Sequence, residues 1–283
     1  MVTQGRIIKG VGGSYEVAAG EITYTCSAKG VFRIRGITPL IGDMVEFEII
    51  SEHERSGNVS KILPRTNTLK RPKVANIDQA LIVFSIIRPA INIDLLDRFL
   101  ILSEKEGVDA VVVLNKSDIS CADECASLRQ TYEDIGYRVI VMSALTKSGL
   151  DELRPQLRGK VSVLAGPSGV GKSSIINCIS QKHMETGELS RRIERGKHTT
   201  RHAELIRIDC DTFVVDSPGF TTLATDELDQ SEIARCFREF RPFLGDCRFN
   251  DCRHLHEPGC AVKAQVGGAI SPERYERYRG LML

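Results

Sequence analysis

The run Gly166-Pro167-Ser168-Gly169-Val170-Gly171-Lys172-Ser173 has the residue types and spacing of a loop that wraps backbone N–H groups around a polyphosphate. Its glycines permit close backbone approach, and a helix starting at its end adds the partial positive charge of an N-terminus. Lys172 is placed to bridge the β- and γ-phosphates, and the hydroxyl of Ser173, followed by Ser174, to ligate Mg²⁺. A second motif, Asn115-Lys116-Ser117-Asp118, carries a carboxylate at Asp118 that can accept from guanine N1–H and the exocyclic amine, donors that adenine does not pair in this way. Lys116 would lay its stem across the base and Asn115 would tie neighbouring loops together. Ser143-Ala144-Leu145 fits an auxiliary base-binding loop. Asp216-Ser217-Pro218-Gly219 closes an apolar run with a carboxylate suited to holding Mg²⁺ through water and an N–H, that of Gly219, suited to the γ-phosphate.

Between the phosphate loop and Asp216 lies a polar, basic stretch, Gly187–Glu204, containing Gly196-Lys197-His198-Thr199-Thr200-Arg201. It is the natural first switch, with Thr200, ahead of Thr199, expected to complete the Mg²⁺ shell in the GTP state and to leave it after hydrolysis. Many GTPases place a glutamine directly after the DxxG motif to orient water, but Phe220 occupies that position here. His198 is the nearest polar candidate for that task, with His202 behind it. An imidazole titrating near pH 6.5 suits water activation. The alternative reading keeps His198 as one polar member of a basic, RNA-facing loop.

The base-reading motif precedes the phosphate loop, the reverse of the usual order, so the chain is circularly permuted. Permutation moves the end of the nucleotide domain to just beyond Gly219. Whatever follows residue 220 is thereby joined directly to the segment that senses the γ-phosphate.

A different chemistry is offered by Cys247-x4-Cys252-x-His254-x5-Cys260. Three thiols and an imidazole at short spacing suit tetrahedral Zn²⁺, and four protein ligands leave no open position, so the zinc is expected to be structural. His256 also lies between the second and third cysteines and stands as the alternative to His254. The surrounding residues Asn250, Asp251 and Arg253 offer little apolar material to hold the segment otherwise. Of the other cysteines, Cys26, Cys121, Cys125, Cys178 and Cys210 read as small apolar residues in strands and helices, and Cys236 as a further one.

The elements that must position these groups follow from hydrophobic periodicity. Alternating runs at Gly5–Val11, Ser14–Ala19, Ile22–Ala28, Asp43–Ile50 and Asn58–Leu63 predict five short strands and an OB-type barrel. The basic, proline-bounded stretch Pro64–Lys73 reads as a linker. From Ile77 onward, buried strands alternate with amphipathic helices. Strands are expected at Gln79–Ile87, Asp109–Leu114, Tyr137–Met142, Lys160–Ala165, about Glu204–Asp209 and Thr212–Val215. Helices are expected near Asp94–Glu106, Ala122–Ile135, Leu150–Leu157 and from the phosphate loop to about Ile179. This is the pattern of a doubly wound α/β sheet. After Asp226 the chain reads as helical and polar.

The 283 residues carry 38 Lys/Arg and 37 Asp/Glu, but residues 1–76 hold 11 basic against 7 acidic and residues 190–207 hold 6 against 2. Local basic surface of this kind fits a polyanion such as RNA, or simply a solvated face. No apolar run approaches the roughly 18 residues that span a bilayer, and Met1–Arg6 lacks a signal-peptide core, so a cytoplasmic protein without membrane contact is expected.

Taken with their order, these motifs resemble the RsgA (YjeQ) family of bacterial, circularly permuted GTPases that depend on the small ribosomal subunit. The likeness rests on NKSD, SAL, GPSGVGKSS, GKHTT, DSPGF and C-x4-C-x-H-x5-C, and runs over nearly the whole chain. It implies an OB-fold RNA-binding barrel at 1–66, a permuted GTPase domain at 67–222 and a helical zinc domain at 223–283. It further implies a role in late small-subunit assembly through rRNA binding, GTP hydrolysis stimulated by that subunit, and release on turnover to GDP. Zinc at Cys247, Cys252, His254 and Cys260, and catalysis by His198, are implied by the same resemblance. A monomer is expected. The competing functional reading is an RNA-binding module that uses GTP as a conformational ligand.

Overall fold

The computed structural model describes residues 2–28, 32, 37–70, 72–180, 203–216 and 230–282. Strands β1 (Val2–Val11), β2 (Ser14–Ala19), β3 (Ile22–Ala28), β4 (Met44–Ser51) and β5 (Ser56–Ile62) close into a barrel in the order β1-β2-β3-β5-β4. Alternation puts Ile7, Val17, Tyr24, Cys26, Val45, Phe47 and Val59 inside it. Closure comes from the one parallel pairing, β3 with β5, which leaves the barrel without an edge.

The stretch expected as a linker is a fastened strap. Arg65 donates from Nε and Nη2 to the two carboxylate oxygens of Asp43 at 2.6 and 2.8 Å. Asn67 exchanges hydrogen bonds with the main chain of Ile77, and Leu69 is buried where β6 (Thr68–Leu69) pairs with β7 (Val74–Ala75). Polarity suggests a tether because the anchors are an ion pair, side chain to backbone bonds and a single leucine, which together do little to raise local hydrophobicity.

The second sheet contains β8 (Gln79–Ser85), β9 (Asp109–Asn115), β10 (Arg138–Val141), β11 (Val161–Ala165), β12 (Glu204–Arg207) and β13 (Phe213–Asp216), ordered β10-β9-β8-β11-β13-β12. All neighbours are parallel except β12, which returns antiparallel to β13 as the edge strand. Every residue of central β8 is buried, as a strand covered on both faces requires. Helices α1 (Ile93–Lys105), α2 (Ala122–Asp134), α3 (Leu150–Leu157) and α4 (Lys172–Ser180) supply those covers. One face packs Phe84, Phe99, Leu100 and Tyr132, the other Leu81, Leu153, Leu164 and Ile175. Connections leave β8 and β11 toward opposite sides, and the crevice at their carboxyl ends is where such sheets bind ligands.

Beyond residue 229 the chain forms α5 (Gln230–Cys236), a 3-10 turn at Arg238–Phe243, α6 (Ala261–Ala264) and α7 (Pro272–Met282). This region is less polar inside than its sequence suggests. Phe237, Phe240 and Tyr278 meet with ring centroids 4.9–5.3 Å apart, and Ile101 of α1 joins the same core. Cys26, Cys125, Cys178 and Cys236 are buried as expected, whereas Cys121 and Cys210 are exposed. No helix among the described residues is long and apolar enough to cross a membrane.

Candidate nucleotide site and metal centre

The phosphate loop joins β11 to α4, as its sequence predicts. Gly166 takes φ +137°, and a Cβ there would sit 2.1 Å from the Val83 carbonyl oxygen on neighbouring β8. Gly171, at φ +96°, would press a Cβ to 2.4 Å from Asn115 Nδ2. Both positions exclude a side chain, which lets the loop lie flat on β8 and against the base-reading motif. Pro167 is half-buried, Val170 is buried, and Ser168, Gly169, Ser173 and Ser174 are exposed at the rim. Lys172 Nζ donates to the carbonyls of Gly166 and Pro167 at 2.6 and 2.8 Å, and burial pushes its ammonium below the ordinary lysine value.

Asn115 closes β9 and bonds in two directions. Its Nδ2 donates to the Val170 carbonyl at 2.8 Å and its Oδ1 accepts from the Ala144 N–H at 3.0 Å. One amide therefore fixes three loops. Lys116, in the left-handed region at φ 64°, donates from Nζ to the carbonyls of Gly169 at 2.6 Å and Arg88 at 2.5 Å. Ser143, fully buried, donates to Asp118 Oδ1 at 2.5 Å and accepts from the Thr146 N–H, which holds the carboxylate and orders the loop bearing Ala144. Leu145 projects with 82 % of its surface exposed. The structure thus brings Asn115, Lys116, Asp118, Ser143 and Ala144 onto the same rim as Gly166–Ser174.

Asp216 ends β13 beside β11, also at the carboxyl edge. Burial, then the charge of Glu204, push its carboxyl above the ordinary range. Glu204 pairs in register with Asp216 across the β12–β13 ladder. His198, Thr199, Thr200, Gly219 and Phe220 lie outside the described residues. Sequence reading missed two supports of the rim. The Arg88 carbonyl, reached by Lys116, is fixed by Arg88 N–H donation to Ser85 Oγ at 3.1 Å. Being a backbone atom, it leaves no residue-type signal. Glu204 could have been found only by registering β12 against β13.

In the carboxyl-terminal region, the ligand atoms of Cys247, Cys252, His254 and Cys260 all lie within 4.8 Å of one another. Cys247 Sγ stands 3.9 Å from Cys260 Sγ, and His254 Nδ1 stands 3.5 and 3.4 Å from those two sulfurs. Tetrahedral zinc with Zn–S near 2.3 Å and Zn–N near 2.0 Å calls for edges of about 3.5–3.8 Å, so the donor set fits. His254, at φ +58°, is buried and faces the thiols, while His256 is exposed and outside the group. The Ala261 and Lys263 N–H groups donate to Cys247 and Cys260, and Tyr275 donates to the His254 carbonyl at 2.7 Å. This outer shell orients the donors.

Comparison with known proteins matches this geometry to a family. The family model described as RsgA GTPase covers residues 62–226, and that of the RsgA N-terminal domain covers residues 4–57. The chain belongs to the RsgA GTPase family. It is 45 % identical over 279 residues to the small ribosomal subunit biogenesis GTPase RsgA of Alkaliphilus metalliredigens, covering 98 % of this chain and 96 % of that one. The RsgA protein of Caldanaerobacter subterraneus subsp. tengcongensis is also 45 % identical, over 99 % of this chain and 94 % of its own. Among solved structures, YjeQ from Thermotoga maritima superposes with a TM-score of 0.85 at 33 % identity, covering 100 % and 98 % of the two chains. YloQ, whose structure is that of a circularly permuted GTPase, gives 0.84 at 34 %, covering 100 % and 94 %. Membership makes this RsgA-family chain a GTP hydrolase, and the permuted order of its motifs is the family's architecture.

Proposed function

We propose that the protein hydrolyses GTP as a checkpoint in maturation of the small ribosomal subunit, binding rRNA with GTP bound and leaving on turnover to GDP. The observation that carries the nucleotide reading is Asn115, whose single amide joins the phosphate loop at Val170 to the base-side loop at Ala144. The small-subunit role is supported by the names of the relatives, each a small ribosomal subunit biogenesis GTPase RsgA. We assign 1–66 to the RNA-binding barrel, 67–222 to the GTPase domain and 223–283 to the zinc-binding unit, in a monomeric, cytoplasmic protein.

In this reading Asp118 accepts from guanine, with Ser143 keeping the carboxylate in place, and Lys116 covers the base. The N–H groups of Gly166–Ser174 surround the phosphates, and Lys172 exchanges its loop carbonyls for β- and γ-phosphate oxygens. Mg²⁺, when bound, neutralises charge between those phosphates; Ser173 and Thr200 would hold it directly and Asp216 through water. Thr199 and Gly219 contribute contacts near the γ-phosphate. His198 orients the attacking water and takes its proton, because Phe220 has no group that can. Zinc held by Cys247, Cys252, His254 and Cys260 is structural.

GTP turnover measured alone, with small subunits and with large subunits tests the assignment. Stimulation by small subunits alone is the expected result, and equal rates in all three would overturn it. His198→Ala should lower stimulated turnover by about 10²–10⁴-fold while leaving nucleotide affinity nearly unchanged.

A further inference from the structure

The barrel meets the GTPase sheet at its edge. Ile8 and Ala18, on the outer face of the barrel, are buried in the same cluster as Leu205, Phe213 and Val215 of the β12–β13 hairpin. The Arg6 guanidinium stands over the Phe213 ring at 5.8 Å, and Lys9 Nζ lies 3.1 Å from Glu204 Oε2. β1 packs on β12, whose Arg207 and Glu204 are the cross-strand partners of Phe213 and Asp216, so the step from Arg6 to Lys9 follows β12 to Glu204, opposite the carboxyl end of β13. There Glu204 faces Asp216 in register. Directly paired antiparallel residues share a face with their Cβ atoms about 4.5–5.5 Å apart. Three charges are therefore collected at the mouth of the nucleotide site: a barrel lysine, its carboxylate partner, and the carboxylate assigned to the Mg²⁺ shell.

The Lys9 and Glu204 side chains keep 35 % and 26 % of their surface exposed. An ion pair that open adds little to folding. Its effect falls instead on the field at Asp216, where an unpaired Glu204 would add a full negative charge. We propose that Lys9 is a positioning residue for the bound Mg²⁺–nucleotide: by neutralising Glu204 it sets how strongly the Asp216 end of the site attracts the cation. The barrel at the start of the chain thereby acts on the metal position of the GTPase domain. The inference rests on the assignment of Asp216 to the Mg²⁺ shell.

The test is a titration of free Mg²⁺ at low ionic strength, reading the affinity of the full-length protein for a fluorescent GDP. Lys9→Ala should lower the half-saturating Mg²⁺ concentration by about two- to fivefold, and Glu204→Gln should raise it by a similar factor. Lys9→Arg should restore the wild-type midpoint. Both shifts should shrink in about 0.5 M salt, because screening removes a field effect but not a packing defect. Affinity without Mg²⁺ should be the same in all variants. A wild-type protein that responds to Mg²⁺ beside a Lys9→Ala midpoint that is unchanged or raised would overturn the proposal and leave the Mg²⁺ assignment standing. A wild-type protein whose GDP affinity ignores Mg²⁺ would overturn both.

Discussion

Arg274 Nη1 lies 2.5 Å from Asp97 Oδ1, with both side chains withdrawn from solvent. The arginine comes from the last helix, α7, and the aspartate from α1 of the GTPase domain. Arg274 Nε also donates to Glu239 at 2.6 Å, Tyr132 donates to Asp97 at 2.8 Å, and Arg277 pairs with the same aspartate. Burial alone would lower the guanidinium pKa, but the Asp97 and Glu239 carboxylates overcome it and raise the value. A few residues along, Glu104 receives Arg238 and Arg241 at 2.6 and 2.5 Å. The carboxyl-terminal unit is thus fastened to α1 by charges as well as by the chain that follows Asp216.

Arg274→Met should be strongly destabilising. Removing the cation leaves Glu239 buried without its charged partner and Asp97 with only Arg277 and the Tyr132 hydroxyl, a loss of about 3–5 kcal/mol. Urea unfolding followed by tyrosine fluorescence reads the change, and limited proteolysis shows whether α7 is released first. A loss under about 1 kcal/mol would mean that the aromatic core, not the ion pair, holds the two units together.

Asp118→Asn should move base preference from guanine toward xanthine. The carboxylate is held by Ser143 and is the acceptor for both guanine donors in the proposed site. Mismatching a polar site of this kind costs on the order of 10⁴-fold in selectivity. Competition of GTP and XTP for the variant measures it, and unchanged GTP affinity would remove the base-reading role.

Cys252→Ser should loosen residues 240–265 while the nucleotide pocket stays folded. Structural zinc supplies roughly 10–16 kcal/mol of apparent folding free energy in small modules, but here Phe237, Phe240 and Tyr278 give the region a core of its own. Hydrogen exchange should therefore rise in the Cys247–Cys260 loops more than in α7. Metal analysis of the wild type should find one zinc per chain, and a fully protected loop in metal-free protein would contradict the assignment.

Glu257 predicts a pH dependence for the same loop. Burial, the largest single influence, pushes its carboxyl up, but its own N–H together with those of Leu255 at 2.9 Å and of Arg253 and His256 at 3.1 Å outweigh this and hold it at about 2. A depressed carboxyl stabilises the fold above its ordinary value of 4.5, and that contribution fades as pH falls toward 2. Glu257→Gln should accordingly lower the melting temperature at pH 7 and differ less from wild type as pH drops below about 4.5. A gap that does not narrow on acidification would mean that the charge on Glu257 is not what holds the turn.

The nucleotide motifs were legible in the sequence because their chemistry is local: phosphate cradling needs glycines, a lysine and a hydroxyl within eight positions, Gly166–Ser173. The same holds for the cysteine cluster, and for the strands and helices, whose periodicity is a property of adjacent residues. Spacing alone left His254 and His256 open and the family resemblance implied His254; the fold supplies the physical reason, a turn at φ +58° that aims that ring at the thiols. The stretch 64–73 reads as a linker because its one leucine is outweighed by polar and basic residues, and the region beyond residue 229 reads as polar because Phe237 and Phe240 meet Tyr278 only when the last helix packs on them. By residue type Arg274 is one of several charges on α7, and Lys9 is one of the 11 basic residues in 1–76. Nothing local marks either one, since the partners Asp97 and Glu204 lie far away in the chain and are reached only when α7 packs on α1 and β1 on β12. Sequence determines which groups can bind a nucleotide or a metal; tertiary packing decides which charges face each other, because an ion pair depends on separation in space, and separation along the chain does not encode it.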